Sequence, residues 1–437
     1  MFVKKTFVKY LVFSLFFFLF SLFFTACSSS TGEDDNKVTF SGAVTLEGQS
    51  DHSGITVRLY KPVDLDTALL RINQQYPGIG VAISQETEFD HRGHEPIATT
   101  ITNSAGFWEV KADDGEYNIV AAKEGWGWKY EYSVNDNSTD ILLKNIVILE
   151  GEYFNNIDIE AGSFVEINEN VRIYESGSLI VNTPVTFVFK NNSRVTLNGV
   201  ITLNNGLYTH IFNDISSVNN NTDIIRINSN QETTLDKLIF FDVNNGIYIS
   251  GSNRVVLSNS VFHNSRNCVE VFNTDSALIN NTLFNMCDYA ATVTSSNSVF
   301  QKNIVTKFEA DGYLAVSANN AVIQQNVFSA GNNGINLNPG LSGVASDLYV
   351  TENDFFDNVT HIKISGGLVR ANYNNFLHSS ANCVTTPIAS GVFDFSFNFW
   401  NVLFDFEIEQ RILHSVDNNQ NATVNFENFL LEKVDWY

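Results

Sequence analysis

The chain has 437 residues and a formal net charge of −23, with no run rich in Lys or Arg beyond its first residues. That balance excludes nucleic acid as a partner, and an anionic glycan would be repelled too unless a cation such as Ca2+ bridged it. Aromatic residues at 13%, 26 Gly and only 6 Pro point to an all-β protein long enough for more than one domain.

Residues 1–26 read as a secretory signal. Lys4, Lys5 and Lys9 give a positive start, and an apolar core from Tyr10 to Phe24 follows, ending in the small residues Thr25 and Ala26 before Cys27. "FTAC" resembles a bacterial lipobox, with Phe24 where Leu is usual. The resemblance implies that Cys27 is lipidated and that the partner is a lipid bilayer. Residues 27–37, with "SSSTGEDDN", form a polar tether. The expected location is the cell envelope, at the outer membrane or cell surface by analogy with lipoproteins carrying Ser at the position of Ser28. Cys268, Cys287 and Cys383 remain, an odd number that describes no disulfide framework. They are expected to be small buried apolar residues, and no CxxC or His-rich cluster points to a structural metal.

Residues 38–135 alternate apolar and polar positions, as at Ile55, Val57 and Leu59 and at Tyr117, Ile119 and Ala121. "NSAG" and "DDGE" supply turns between these runs. Gly42-Ala43-Val44, "ITVRLY", the turn Asn103 to Phe107 and "DGEYNIVAAKEGW" together resemble the carboxypeptidase regulatory-like domain. That resemblance implies a small β-sandwich acting as a spacer or interaction module. The departure is an insertion, Asp64 to Glu95, in which Leu65, Leu69 and Ile72 have helical spacing. His91 and His94 in "FDHRGHEP" are expected in a solvated loop rather than a metal site. Trp108, Trp126 and Trp128 are expected to serve core or inter-domain packing, with sugar stacking as the alternative.

Residues 136–401 are dominated by a repeat. Anchors at Asn259, Asn281, Asn303, Asn326, Asn353, Asn374 and Asn398 recur at gaps of 22, 22, 23, 27, 21 and 24. An apolar residue stands two positions after each: Val261, Leu283, Val305, Phe328, Phe355, Phe376 and Trp400. Another small or apolar residue stands three before each, from Val256 to Phe395. A second apolar run, such as "CVEVF" or "YLAV", follows most anchors. A unit this short cannot bury its own apolar face, and stacked units share one core. The pattern predicts two short strands per coil and a right-handed parallel β-helix of about ten coils. Anchor Asn residues would turn in the left-handed region or bond from coil to coil. Phe328, Phe355, Phe376 and Trp400 would stack inside. Looser alternation with Gly162, Gly177 and Gly199 places the first coils at Ile141 to Asn205. Residues 402–437 are expected to cap the last coil against edge pairing, with a helix over Phe406 to Leu413. "NFWNV", "IEQRI" and "VNFENFL" resemble the terminal pattern of bacterial proteins of the right-handed parallel β-helix repeat superfamily, with Asn401 where Gly is usual.

That superfamily holds carbohydrate-active enzymes, adhesins and copper-binding proteins, and fold does not choose among them. No Asp-Asp pair or Gly-His-Gly follows residue 140, as a β-helix glycoside hydrolase would need. A polysaccharide lyase needs a base and a charge neutraliser. The candidates are His263, Lys307 and His378 in one column and Arg266 and Asp288 in another, with Glu309, Asp311 and Tyr313 nearby. Copper delivery is disfavoured because Met286 is the sole Met past the signal. The sequence therefore points to a membrane-anchored extracytoplasmic protein for binding or surface attachment, with carbohydrate recognised along the β-helix. The alternative is a lyase or related carbohydrate-active enzyme using turn residues.

Overall fold

The computed structural model describes residues 37–135, 139–204, 206–213, 223–251, 254–294, 297–338, 347–379, 382–387 and 389–437. The signal, Cys27 and the tether up to Asn36 lie outside the described residues, and Lys37 opens the first strand.

Seven strands open the fold: β1 Lys37–Leu46, β2 Thr56–Tyr60, β3 Ala98–Ile101, β4 Phe107–Asp113, β5 Tyr117–Lys123, β6 Gly127–Val134 and β7 Thr139–Leu143. One sheet has the order β4-β1-β7 and the other β3-β2-β5-β6. Their facing residues share one core, including Phe40, Val44, Val57, Trp108, Ile119 and Ile141, so the two sheets pack face to face. Trp108 belongs to that core and Trp126 packs against it. Strand β7 runs parallel to β1, and the first sheet therefore reaches past residue 135.

From Val147 onward the chain winds into a right-handed parallel solenoid of about ten turns. From the coil that begins at Thr186, coils carry three strands rather than the two expected; in the two coils before it, one longer strand, Val147–Tyr153 or Phe164–Ile173, runs through two of the three positions. One complete coil reads Arg254–Ser258, Val261–His263 and Asn267–Phe272. Equivalent strands of successive coils pair in parallel and build three faces. The strands equivalent to 254–258 form a back face, those equivalent to 261–263 a docked face, and those equivalent to 267–272 a wide face. The strand missed from the sequence is the back-face one, marked there only by its apolar column.

Inside, the aromatic stack is longer than expected. Phe240, Phe262, Phe284, Phe300, Phe328, Phe355, Phe376 and Trp400 follow one another with ring centroids 4.4 to 6.1 Å apart. The expected phase needs a correction in two coils. Phe262 and Phe284 face inward with Val305 and Phe328, whereas Val261 and Leu283 face outward. The strand register aligns Val261 with Leu283 and Ile304, not with Val305. A slip of one residue exchanges the two sides of a strand. Both sides are buried here, so apolar character could not reveal the slip.

The Asn anchors divide accordingly. Asn259 and Asn281 are turn residues with positive φ, and Lys302, Gln325, Glu352, Tyr373 and Phe397 continue that column with the same sign. Asn303, Asn326, Asn353, Asn374 and Asn398 stand one residue later and are fully buried. Each accepts at Oδ1 from the backbone N–H of the preceding coil, from Thr282 through Asn374, at 2.8 to 3.1 Å. Nδ2 of Asn303, Asn326, Asn353 and Asn374 in turn donates to the next Oδ1 at 2.9 to 3.1 Å. The ladder satisfies backbone groups that the turn leaves unpaired, which would otherwise cost about 1–3 kcal/mol each.

The insertion in the sandwich lies along the docked face. Helix α1, Thr67–Gln75, is capped by Asp66, whose carboxylate accepts from the Ala68 and Leu69 amides. Leu69 and Ile72 bury the stripe that the spacing predicts. A second short helix, α2 Gln85–Glu88, follows. Leu69, Ile72, Tyr76, Ile79, Val81, Ile83 and Phe89 form one cluster with the outward residues Ile239, Phe241, Val261, Leu283, Ile304 and Val327. Each fully buried aliphatic or aromatic side chain stabilises such a contact by about 1.5–3 kcal/mol. Gly80, at φ +61°, donates its N–H to Lys302 O at 2.8 Å, and a Cβ there would sit 2.8 Å from the Ile304 side chain. Only glycine fits that approach.

At the far end, helix α3 Asp405–Glu409 is shorter than the expected 406–413. Ile412–Leu413 instead extends the wide face by pairing with Val384–Thr385, and Thr423–Asn425 extends the back face by pairing with Val392–Asp394. The tail returns to the docked face, where the fully buried Asp354 accepts from Asn375 Nδ2 at 2.6 Å and Trp436 Nε1 at 2.9 Å. Lys433 Nζ lies 2.7 Å from it, and the Tyr76 hydroxyl at the end of α1 donates to it. Insertion, solenoid and tail are thus tied at one carboxylate.

Candidate functional site

The residues singled out from the sequence do not form one site. His263 does share a column with His378, through Asn285, Thr306, Ser329 and Phe356. Five coil steps separate them, roughly 24 Å at about 4.8 Å per step. Lys307 stands one residue off that column, in the turn column of Asn264 and Met286. Both nearer candidates are engaged by the insertion: His263 Nδ1 lies 3.3 Å from Glu88 Oε2, and Lys307 contacts the Asp66 carboxylate. Arg266 and Asp288 are neighbours on consecutive coils, with Nε to Oδ2 at 3.3 Å, at a solvent-facing turn. Glu309 is exposed, and its backbone amide donates to Cys287 O. Asp311 is buried and accepts from Asn333 and Asn336. Tyr313 points into the core, where burial raises its hydroxyl above the ordinary phenol range. Among the described residues, no three or more His, Cys, Asp or Glu side chains gather as metal ligands would.

The structure draws a different set together, where the second sandwich sheet meets the first coils. Two hollows flank Trp128 on β6. The larger, about 770 Å³, is lined by Thr56, Arg58, Lys123 and Glu124 on one side and Ile146, Phe164 and Glu166 on the other. The smaller, about 230 Å³, is lined by Glu86, Tyr130, Tyr132, Ser163, Thr186 and His210. Strand alternation along β6 sends Trp128, Tyr130 and Tyr132 to one side. Trp128 meets the Phe164 ring edge-on at 4.5 Å, and Tyr130 stacks on Tyr132 at 5.5 Å. Gly127, at φ +69°, allows this closeness, since a Cβ would lie 2.3 Å from the Phe164 ring.

Titratable groups in the smaller hollow are shifted mainly by burial. The His210 imidazole is pushed down to about 4 and stays neutral, with Nε2 3.4 Å from the Tyr132 hydroxyl and 3.8 Å from Glu86 Oε1. The Glu86 carboxyl is raised, as are the Tyr130 and Tyr132 hydroxyls. His91 shares a 2.7 Å hydrogen bond with the Tyr130 hydroxyl, and burial lowers its imidazole to about 4. His91 is therefore not solvated as expected, whereas His94 and Glu95 beside it are exposed. Asp90 and Arg92 neutralise each other at 2.6 Å, and the guanidinium lies 4.7 Å over the Phe212 ring.

None of Glu86, Tyr132 or His210 carried a sequence motif. The one available signal was positional. The outward column of the docked face reads Thr186, His210, Ile239, Val261, Leu283, Ile304, Val327, Asp354, Asn375. His210 and Asp354 are the polar ends of an apolar run, and each meets polar groups of the insertion.

Residues 223–383 match the family model for a right handed beta helix region. No curated protein matches the chain. Two solved structures are similar to it. One is the catalytic domain of a GH87 alpha-1,3-glucanase in complex with nigerose, at 12% identity and a TM-score of 0.34, with 92% of this chain and 88% of that one covered. The other is a variant of that domain with nigerose, at 11% identity, the same TM-score and the same coverage.

Proposed function

We propose that the protein is an exported, lipid-anchored binding protein of the cell envelope that takes a neutral glycan in the hollows around Trp128. The reading rests on the concave, aromatic-walled junction of sandwich and solenoid. Sites of this kind form at domain interfaces, with apolar walls and a few polar groups that fix orientation. A sugar ring would lie against the aromatic wall of Trp128, while Thr56, Arg58, Lys123 and Glu124 offer donors and acceptors at the rim. The net charge disfavours an anionic chain unless Ca2+ bridges it. The sandwich, in its resemblance to the carboxypeptidase regulatory-like domain, would then be part of the site as well as a spacer from the membrane.

A glycan array followed by calorimetry tests this. Binding of a neutral oligosaccharide that falls at least tenfold in Trp128→Ala and in the rim variant Arg58→Ala/Lys123→Ala supports the reading. The rim pair guards against a Trp128 variant that merely loosens the junction. An array with no neutral glycan bound would sink it.

A second reading draws on Glu86, Tyr132 and His210. A neutral imidazole beside a phenol and a raised carboxyl can pass a proton, as acid–base cleavage of a sugar bond requires. Product release during the same titrations, abolished by His210→Ala, would favour the enzyme over the binding protein.

A further inference from the structure

The three cysteines of the folded part are all buried, yet they are not equivalent. Cys268 begins the inward side of wide-face strand Asn267–Phe272, and Cys287 lies in the next coil just past the turn at Met286. Their Sγ atoms lie 2.6 Å apart, well inside the contact distance of two separate sulfurs, and both side chains are essentially unexposed. Cys383 lies four coils further along the solenoid from Cys287 and also within the core. We propose that Cys268 and Cys287 form a disulfide that staples two consecutive coils, with Cys383 left as a thiol. The odd number of cysteines beyond Cys27 conceals this pair, because pairing is decided by coil stacking and not by number.

The bond needs an oxidant. A disulfide-bearing thiol oxidase of the envelope, or oxidised glutathione, supplies it. One Cys thiolate attacks that disulfide and a mixed disulfide forms. The second thiolate then displaces the carrier sulfur, so two thiol protons and two electrons leave and the oxidant becomes two thiols. Burial keeps the Cys268 thiol protonated in the finished coil. The exchange therefore takes place while the coils are still closing. In the cell this depends on the export proposed above, because a reducing cytoplasm would keep both thiols.

The tryptic peptide Asn267–Lys302 contains both residues with no Lys or Arg between them, and cleavage after Glu270 or Asp275 separates them. Full-length protein from the envelope, alkylated at lysis and denatured without reductant, is expected to yield this peptide two hydrogens light and unlabelled. Cys383 should take the label. A parallel sample is unfolded, reduced and refolded with oxidised and reduced glutathione. The bond in both samples supports the disulfide and the export. The bond in the refolded sample alone supports the disulfide and overturns export. Cys268 and Cys287 both labelled in both samples, or Cys383 found in the linkage, overturns the disulfide. In Cys268→Ser, Cys287 should become labelled in the denatured chain.

Discussion

The docked face and the wide face are built from the same coils, a few residues apart, and differ in what they turn outward. The docked face shows Ile239, Val261, Leu283, Ile304 and Val327, all fully buried beneath the insertion. The wide face shows Arg226, Tyr248, Glu270, Thr292, Leu314, Asn336 and Lys363 in one outward row, each part-exposed. Their inward rows are alike, so the core does not distinguish them. The outward row does: an apolar run in it marks an internal interface, and a polar one a solvated surface. The insertion is thus what completes the solenoid on one side, not an ornament of the sandwich.

The sharpest way to break the contrast is to put a charge on each face. Leu283→Asp would place a carboxylate against the insertion with no partner and cost about 3–5 kcal/mol, read as a lower denaturation midpoint and rapid proteolysis within 64–95. Thr292→Asp, one coil step from Glu270 on the wide face, should stay within about 0.5 kcal/mol. Equal effects would erase the distinction between the faces.

Acid tests the same seam. His91 and His210 at the junction are held to about 4, and His361 inside the solenoid to about 3, each mainly by burial, against an ordinary value of 6.5. Between pH 6.5 and 4 the unfolded chain binds more protons, so stability falls as pH is lowered, by up to about 1.4 kcal/mol per pH unit for each imidazole. Glu86 acts in the opposite direction, because its raised carboxyl protonates earlier when folded. Denaturant midpoints measured from pH 7 to 4.5 should slope downward with acid, and His210→Gln should remove about a third of the slope. A flat wild-type profile would mean that these rings are not shut away from water.

The smallest effect belongs to the rim of the docked face. His263→Ala with Lys307→Ala removes two contacts to Glu88 and Asp66, and Lys307 is 43% exposed. Such pairs contribute about 0–1 kcal/mol, so the double variant should lose little in low salt and nothing measurable at 1 M. A loss of several kcal/mol would show that charge, rather than apolar burial, holds the insertion.

Much of the architecture could be read from spacing. The Asn anchors and the apolar column two residues after them set the coil length, and Ile55, Val57 and Leu59 marked a sandwich strand. Leu69 and Ile72 marked α1. The phase at Val261 and Leu283 could not be read, because Val261-Phe262 and Leu283-Phe284 are buried on both sides and alternation vanishes. Nor could the candidate site. Trp128 comes from one domain, Glu86 from the insertion and His210 from a coil some 80 residues past Trp128, and no local pattern joins them.

The order of residues by itself determined a stack of short coils with an Asn anchor and an apolar core residue in each, since every coil must turn and fill its slot in the core in the same way. Tertiary structure alone decided which side of each strand faces inward, which face is covered, and which polar groups meet at the Trp128 junction. The reason is that these depend on contacts between segments far apart in the chain, and periodicity carries information only about neighbours.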